Sequence, residues 1–281
     1  MERIEYDNLK DFNIIHTLEC GQCFRWKKED DGSYTGVIKR GIINIKTDNE
    51  NKTTLICEIN GDSKKIINEY FDMNRDYSNI KSIISINDSN MVDAIKYGYG
   101  IRILHQDSWE MLISYIISAA NNIPRISKTI ENISKAYGKK VIFNEEEYYL
   151  FPTPEELSKA SIEDLRKLNL GFRDKYVYNA TKAVLEGKIN LKEIEKMPYK
   201  EAKKELMKLD GVGAKVADCI LLFSMNKVEA FPIDTWIKKV MVKLYNTKEN
   251  LKDIENCATE RFGKYAGIAQ QYLFYYMREN N

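Results

Sequence analysis

The segment LMKLDGVGAKVADCILLFSMNKVEAFPID, residues 206–234, constrains the architecture of this chain more than any other stretch. Leu206 to Leu209 reads as the end of a helix. Asp210-Gly211-Val212-Gly213 then forms a tight hairpin, with glycine placed where positive φ or close backbone approach is needed. A second helix begins at Ala214, and its apolar residues Val216, Ile220 and Phe223 recur at helical spacing. The two helices and their hairpin occupy about 199–224. A helix start preceded by glycines leaves backbone N–H groups without partners, and such a terminus attracts an anion such as a phosphate.

Lys215 lies in the first turn of the second helix. The positive end of the helix dipole disfavours another positive charge there, which favours the free amine, a nucleophile. Nineteen residues further on, Asp234 stands in Pro232-Ile233-Asp234-Thr235-Trp236, a pattern expected at the start of another helix. An amine and a carboxylate thus converge on one pocket. The plainer readings are a common Gly-x-Gly turn, a solvated surface lysine and an aspartate that only caps a helix.

Elsewhere the chain divides near residue 95. Segments near 12–17, 22–28, 34–38, 42–47 and 53–59 are rich in Ile, Thr, Val, Phe and Tyr, and the breaks DDGS, KRG and DNEN read as turns, so an antiparallel sheet is expected. Ile42, Ile43 and Ile45 break strict alternation, which implies burial on both faces of part of that sheet. Residues 63–95 read as helical. From 96 onwards the pattern is helical throughout: Trp109, Leu112, Ile113, Ile116 and Ile117 form one apolar face, Ala119-Ala120-Asn121-Asn122 is a junction with Pro124 in the first turn of the next helix, and helices are expected at 126–137, 154–169, 172–186, 190–196 and 199–208. The final helix, from Lys264, carries Tyr265, Ile268, Ala269, Tyr272, Leu273 and Tyr276 on one stripe, with Gln270 and Phe274 about 130° away. The fold class is therefore α+β, with an antiparallel sheet domain and flanking helices at 1–95 and a mostly helical body at 96–281.

Charge supports the same division. The whole chain is nearly neutral at +1, but residues 1–95 hold 13 Lys and Arg against 17 Asp and Glu, whereas residues 96–281 hold 30 against 25. A polyanion would bind chiefly to the second part, with an affinity that weakens in salt. Five cysteines, at 20, 23, 57, 219 and 257, are too few and too scattered for a disulfide framework. Cys20 and Cys23 form a single CxxC with no second pair to complete a zinc site. No apolar run reaches membrane-spanning length and Met1-Glu2-Arg3 opens no signal peptide, so a soluble intracellular protein is expected.

Five stretches taken together are more specific than any of these features: CGQCFRW at 20–26, HQDSWEMLISYIISAANNIPRI at 105–126, LGFRDKY at 170–176, the hairpin LDGVGAKVADC with FPIDTW, and GIAQQYLF at 267–274. Together they resemble the helix-hairpin-helix DNA glycosylase superfamily, with its Gly-Pro/Val-Asp segment, and within it the 8-oxoguanine DNA glycosylase/lyase family, over about Phe12 to Phe274. That resemblance implies a monomeric enzyme of base excision repair that binds double-stranded DNA containing 8-oxoguanine, extrudes the damaged nucleotide and excises the base. Lys215 would attack the sugar and Asp234 would stabilise positive charge on it. Phe274 and Cys219 would sandwich the base, Gln270 would bond its Watson–Crick edge, and the Gly21 carbonyl would accept the N7 hydrogen that guanine lacks. Arg125 and Arg173 would read the opposite base and Phe172 would act as a wedge, with Asn121 and Asn122 flanking the gap. Gly211, Val212, Gly213 and Trp236 would contact the DNA backbone.

The resemblance implies no required cofactor, although a structural monovalent or calcium ion on the carbonyls of Met207, Leu209 and Val212 fits hairpins of this kind. The cysteine array of iron–sulfur members is absent from the sequence, so no cluster is expected. The chain departs from the family at Ala120, where relatives tend to carry an asparagine that contacts the opposite cytosine. Competing readings are a glycosylase of the same superfamily for another lesion and a non-catalytic DNA-binding module. Alkylpurine enzymes generally lack a lysine at the position of Lys215, and a mere binder leaves Gly21, Cys219, Gln270 and Phe274 as coincidences.

Overall fold

A computed structural model of the chain describes residues 1–38 and 41–279. The first part contains β1 (Glu2–Asp7), α1 (Ile14–Glu19), β2 (Trp26–Lys28), β3 (Tyr34–Ile38), β4 (Gly41–Thr47) and β5 (Lys52–Glu58), followed by α2 (Ser63–Tyr70), α3 (Tyr77–Ile84) and α4 (Ser89–Tyr97). Next come α5 (Ser108–Ser118), α6 (Ile123–Tyr137), a hairpin of β6 (Lys140–Phe143) and β7 (Glu146–Tyr149), α7 (Pro154–Leu157) and α8 (Ile162–Leu165). The rest is α9 (Asp174–Leu185), α10 (Leu191–Lys196), α11 (Tyr199–Leu206), α12 (Ala214–Ser224), α13 (Thr235–Tyr245), α14 (Leu251–Phe262) and α15 (Ala266–Glu279).

The five strands pair antiparallel in the order β1-β5-β4-β3-β2. One face of the sheet places Tyr34, Ile43, Ile45, Leu55 and Cys57 against α1 and α2. Val37 and Ile42, on strands of the same sheet, join Phe143 and Leu150 from the β6–β7 hairpin segment. Burial on both faces of β4, expected from Ile42, Ile43 and Ile45, is what the fold contains.

Three expectations need correction. Residues 12–17 form no strand; Asn13 accepts a hydrogen bond from His16 N at 3.0 Å and starts helix α1, so a local cap overrides the β-branched composition. The first strand is instead Glu2–Asp7, an edge strand whose charged residues conceal its alternation. The helix expected over 154–169 is two single turns, each closed by a capping box, Thr153 with Glu156 and Ser161 with Asp164. A wide turn at Arg166–Leu170 follows, with Asn169 at φ 70 and Gly171 at φ 58. The KRG break falls on Lys39 and Arg40, outside the described residues.

The cores divide earlier than residue 95. Tyr77, Ile80, Ile84, Met91 and Ala94 from α3 and α4 belong to the helical core, together with α5, α12, α13 and α15. Helix α5 is buried on every side from Trp109 to Ile117, and α12 from Val216 to Ser224. These two helices pack together in the centre of the body, as side chains that each gain about 1.5–3 kcal/mol by full burial dictate.

Candidate active site

The hairpin joins α11 to α12 as its glycines require, although each glycine acts differently. Gly211 has φ +83, and a Cβ there would stand 2.8 Å from the Tyr176 ring. Gly213 has φ −84 and open space around it, so it serves clearance rather than conformation. No side chain caps the N-terminus of α12, and its first N–H groups point past Gly213. Asp218 in α12 is buried and accepts hydrogen bonds from Tyr199 Oη and Lys203 Nζ, both at 2.8 Å, which clamps α11 to α12. Burial pushes its carboxyl up to about 6 against the pull of Lys203. Asp218 is thus a brace of the hairpin.

Lys215 is half-buried, and its Nζ lies 5.5 Å from the centre of the Tyr115 ring of α5. Tyr115 in turn stacks on Phe223 at 5.8 Å. One turn beyond Lys215, Cys219 is 3% exposed. Burial raises its thiol to about 11, Lys215 pulls it down, and the carboxylates of Asp218 and then Asp234 push it up. Lys215, Asp218 and Asp234 thus all lie within electrostatic reach of one buried thiol. Asp234 caps α13 by accepting from Ile237 N at 2.8 Å, so the plain capping reading also holds, and it fixes that carboxylate in place. A cavity of about 590 Å³ lies elsewhere, lined by Tyr199, Lys203, Met207, Phe231 and Glu255. Convergence of side chains, rather than volume, marks the candidate centre.

The turn after α1 carries the second half of the site. Arg278 Nη2 donates to the Glu19 carbonyl at 2.7 Å and Gln271 Nε2 to the Cys20 carbonyl at 2.7 Å. Gln106 Nε2 and Tyr115 Oη donate to the Gln22 carbonyl, at 2.8 and 3.3 Å. From Glu19 to Gln22, among the described residues, the Gly21 carbonyl alone takes no hydrogen bond. Gly21 has φ +90, and a Cβ on it would meet Phe274 Cε1 at 3.2 Å. Gln270 is 4% exposed, and its Oε1 is buried without a partner. A buried acceptor left open is costly unless something completes it. Sequence periodicity suggests a partly exposed Gln270–Phe274 pair; the glutamine is instead buried and the ring half-buried.

The remaining candidates lie at the α5–α6 junction and the turn before α9. Phe172 is 60% exposed, with the Arg173 guanidinium 4.3 Å from its ring centre. Arg173 is buried and donates to the carbonyls of Ala119, Ala120 and Leu170, so most of its donors hold the junction loop. Arg125 is exposed and close enough that its charge, after burial, makes Arg173 easier to deprotonate. Asn122 caps α6 through Arg125 N at 3.1 Å, while Asn121 Nδ2 donates to Ile117 O at 3.2 Å. Ala120 immediately precedes them at φ 48. Trp236 is 40% exposed, 5.6 Å from Lys239 Nζ. Sequence reasoning missed Tyr115, Gln271 and Arg278: the first lies off the apolar stripe read on its helix, Gln271 sits inside GIAQQYLF beside the residue singled out there, and Arg278 lies beyond that stretch.

In the C-terminal part, Cys257 is half-buried, and Cys20 and Cys23 are buried with their thiols on the carbonyls of Thr17 and Leu18. Among the described residues, no group of three or more His, Cys, Asp or Glu side chains is arranged to hold a metal, and no helix is long and apolar enough to cross a membrane.

Residues 6–112 match the family model described as 8-oxoguanine DNA glycosylase, N-terminal domain. Residues 113–264 match that of the HhH-GPD superfamily of base excision DNA repair proteins. A Methanothermobacter thermautotrophicus protein bearing the name "Probable N-glycosylase/DNA lyase" is 32% identical over 231 residues, covering 75% of this chain and 73% of that protein. N-glycosylase/DNA lyase OGG1 of Arabidopsis thaliana is 29% identical, covering 92% of this chain and 75% of its own. The crystal structure of Clostridium acetobutylicum 8-oxoguanine glycosylase/lyase with double-stranded DNA containing cytosine opposite 8-oxoguanine superposes with a TM-score of 0.95 at 41% identity, covering 100% of this chain and 96% of that one.

Proposed function

The chain belongs to the HhH-GPD superfamily of base excision DNA repair proteins, and from that premise we propose that it is a bifunctional 8-oxoguanine DNA glycosylase and abasic-site lyase acting on double-stranded DNA. The observation that supports the chemistry is a half-buried Lys215 at the uncapped start of α12, one turn before the buried Cys219, with the Asp234 carboxylate fixed at the start of α13 by its bond from Ile237 N. The Lys215 amine attacks C1′ of the extruded nucleoside, the C1′–N9 bond breaks, and the base leaves with the electron pair. Asp234 stabilises positive charge developing on the sugar. Loss of a proton from nitrogen and opening of the ring give a Schiff base, and β-elimination then cuts the strand on the 3′ side.

In this reading the base lies between Phe274 and Cys219. The open Gln270 Oε1 accepts from its Watson–Crick edge, and the Gly21 carbonyl accepts its N7 hydrogen. Guanine would present a lone pair to that carbonyl, a mismatch of about 1–3 kcal/mol. The exposed Phe172 wedges into the stack and Arg125 reads the opposite base. Asn121, Asn122 and Arg173 shape the loop facing the orphaned nucleotide. Gly211, Val212 and Gly213 grip the phosphate backbone at the uncapped start of α12, and Trp236, in the first turn of α13, packs against the backbone beside the lesion.

A monovalent or calcium ion on the carbonyls of Met207, Leu209 and Val212 would support that grip; the Leu209 carbonyl already accepts from Val212 N at 3.1 Å and keeps one lone pair for an ion. The enzyme works as an intracellular monomer. Incubation with a labelled duplex holding one 8-oxoguanine, opposite each of the four bases and with borohydride present, tests the assignment. Wild type releases the base and traps as a covalent adduct, whereas Lys215→Gln does neither. A Lys215→Gln adduct at normal yield would show that another residue is the nucleophile.

A further inference from the structure

Helix α15 presents Gln271, Phe274 and Arg278 to the Gly21 turn. Spacings of three, four and seven residues place them on one helical face. Arg278 makes two contacts with that turn. Its Nη2 donates to the Glu19 carbonyl at 2.7 Å, and its Nη1 lies 3.1 Å from the position that a Gly21 Cβ would occupy. The same guanidinium is 5.8 Å from the ring centre of Phe274 and 5.6 Å from that of Tyr275, within cation–π range. Gln271 secures the next carbonyl, that of Cys20, at 2.7 Å.

We propose that Arg278 is a positioning residue for lesion recognition, setting the Gly21 carbonyl at its working distance from the Phe274 ring. The inference rests on the reading of Gly21 and Phe274 as parts of the base seat. Discrimination between an N7–H and an N7 lone pair depends on where one carbonyl oxygen stands relative to the plane of the stacked base. Two walls define that position, the α1 turn and the face of α15, and they come from opposite ends of the sequence. Arg278 touches both. Its flat guanidinium fills the space that glycine leaves open, bonds one carbonyl upstream of Gly21 and lies near the edge of the stacking ring. Arg278 and Gln271 of α15 thus occupy the Glu19 and Cys20 carbonyls, and the Gly21 carbonyl is left without a protein donor, open to one from the ligand.

The test separates reading the base from processing the sugar. Arg278→Ala should slow single-turnover excision of 8-oxoguanine by about 10- to 100-fold, the effect of misplacing one discriminating hydrogen bond. Strand cleavage at a preformed abasic site, and affinity for a duplex carrying a tetrahydrofuran abasic analogue, should stay at wild-type values because no base is seated there. Arg278→Lys, which keeps a donor for the Glu19 carbonyl but not the flat face, should fall between the two. Wild-type excision by Arg278→Ala would overturn the inference, as would parallel loss of excision and abasic-site cleavage, which would make Arg278 a support of the fold. Failure of the wild-type enzyme itself to release 8-oxoguanine would instead remove the underlying reading of the site.

Discussion

Replacing Gly21 by alanine tests the lesion-reading turn at its narrowest point. Gly21 has φ +90, where an L-residue costs about 1–2 kcal/mol relative to glycine. The added methyl would also lie 3.1 Å from Arg278 Nη1 and 3.2 Å from Phe274 Cε1, tighter than ordinary contact, so one of them has to retreat by a few tenths of an ångström. Arg278 is tethered to Glu19, which leaves the Phe274 ring as the part that yields. The strain alone should lower the melting temperature by about 2–3 °C for a chain of this size. Displacing the ring from the carbonyl it works with should slow excision by about 10- to 100-fold. The assays are thermal melting, single-turnover release of 8-oxoguanine, and cleavage of a preformed abasic site, the last expected at the wild-type rate. An alanine variant that melts and excises like wild type would show that nothing here depends on the missing side chain. Equal loss of excision and abasic-site cleavage would place the damage in the fold.

Asp234→Asn keeps a cap of equal rank on α13 and should preserve the melting temperature and binding of lesion DNA while slowing base release; parallel loss of binding would make the residue only a cap. Phe172→Ala removes a side chain that is 60% exposed, so stability should stay within about 0.5 kcal/mol while base extrusion slows, as read by a fluorescent base analogue beside the lesion; unchanged extrusion would refute the wedge. Burial raises the Glu110 carboxyl to about 7 from 4.5, opposed by Arg25 at 3.8 Å. The folded state thus holds a proton that the unfolded chain has released, and stability falls as pH rises from about 4.5 through 7, by a total of about 3 kcal/mol. Glu110→Gln should flatten that decline in melting curves between pH 5 and 8; an unaltered slope would assign it to another group.

The elements that the sequence specifies well are those with strong local rules. Asp234 is recognisable as a cap, Asn122 and Pro124 as a helix start, and Trp109, Leu112, Ile113, Ile116 and Ile117 as core, because capping and burial act on neighbours in the chain. The β6–β7 hairpin escapes because Glu145, Glu146 and Glu147 occupy it and, of its two strands, only Phe143 is fully buried. Among the site residues, Lys215 and Asp234 follow from dipole and cap arguments, whereas Gly21, Cys219, Gln270 and Phe274 depend on the family likeness. No local rule brings residue 21 to residue 274. Arg278 escapes for a different reason: a cation in the last turn of a helix is already explained by the dipole, so nothing in the sequence asks for a second role.

The clamp of Asp218 on Tyr199 and Lys203, with Glu255 3.6 Å from the same lysine, joins α11, α12 and α14 into one frame, and α12 has no exposed flank from Val216 onwards. A mounting this stiff leaves the lysine at its head little room to pursue a substrate. The travel required for reaction then falls to the nucleic acid, which has to bend and surrender a nucleotide to a stationary tool. Sites where the double helix is already soft, through mispairing or a flexible pyrimidine–purine step, should be engaged sooner than equally damaged but rigid ones.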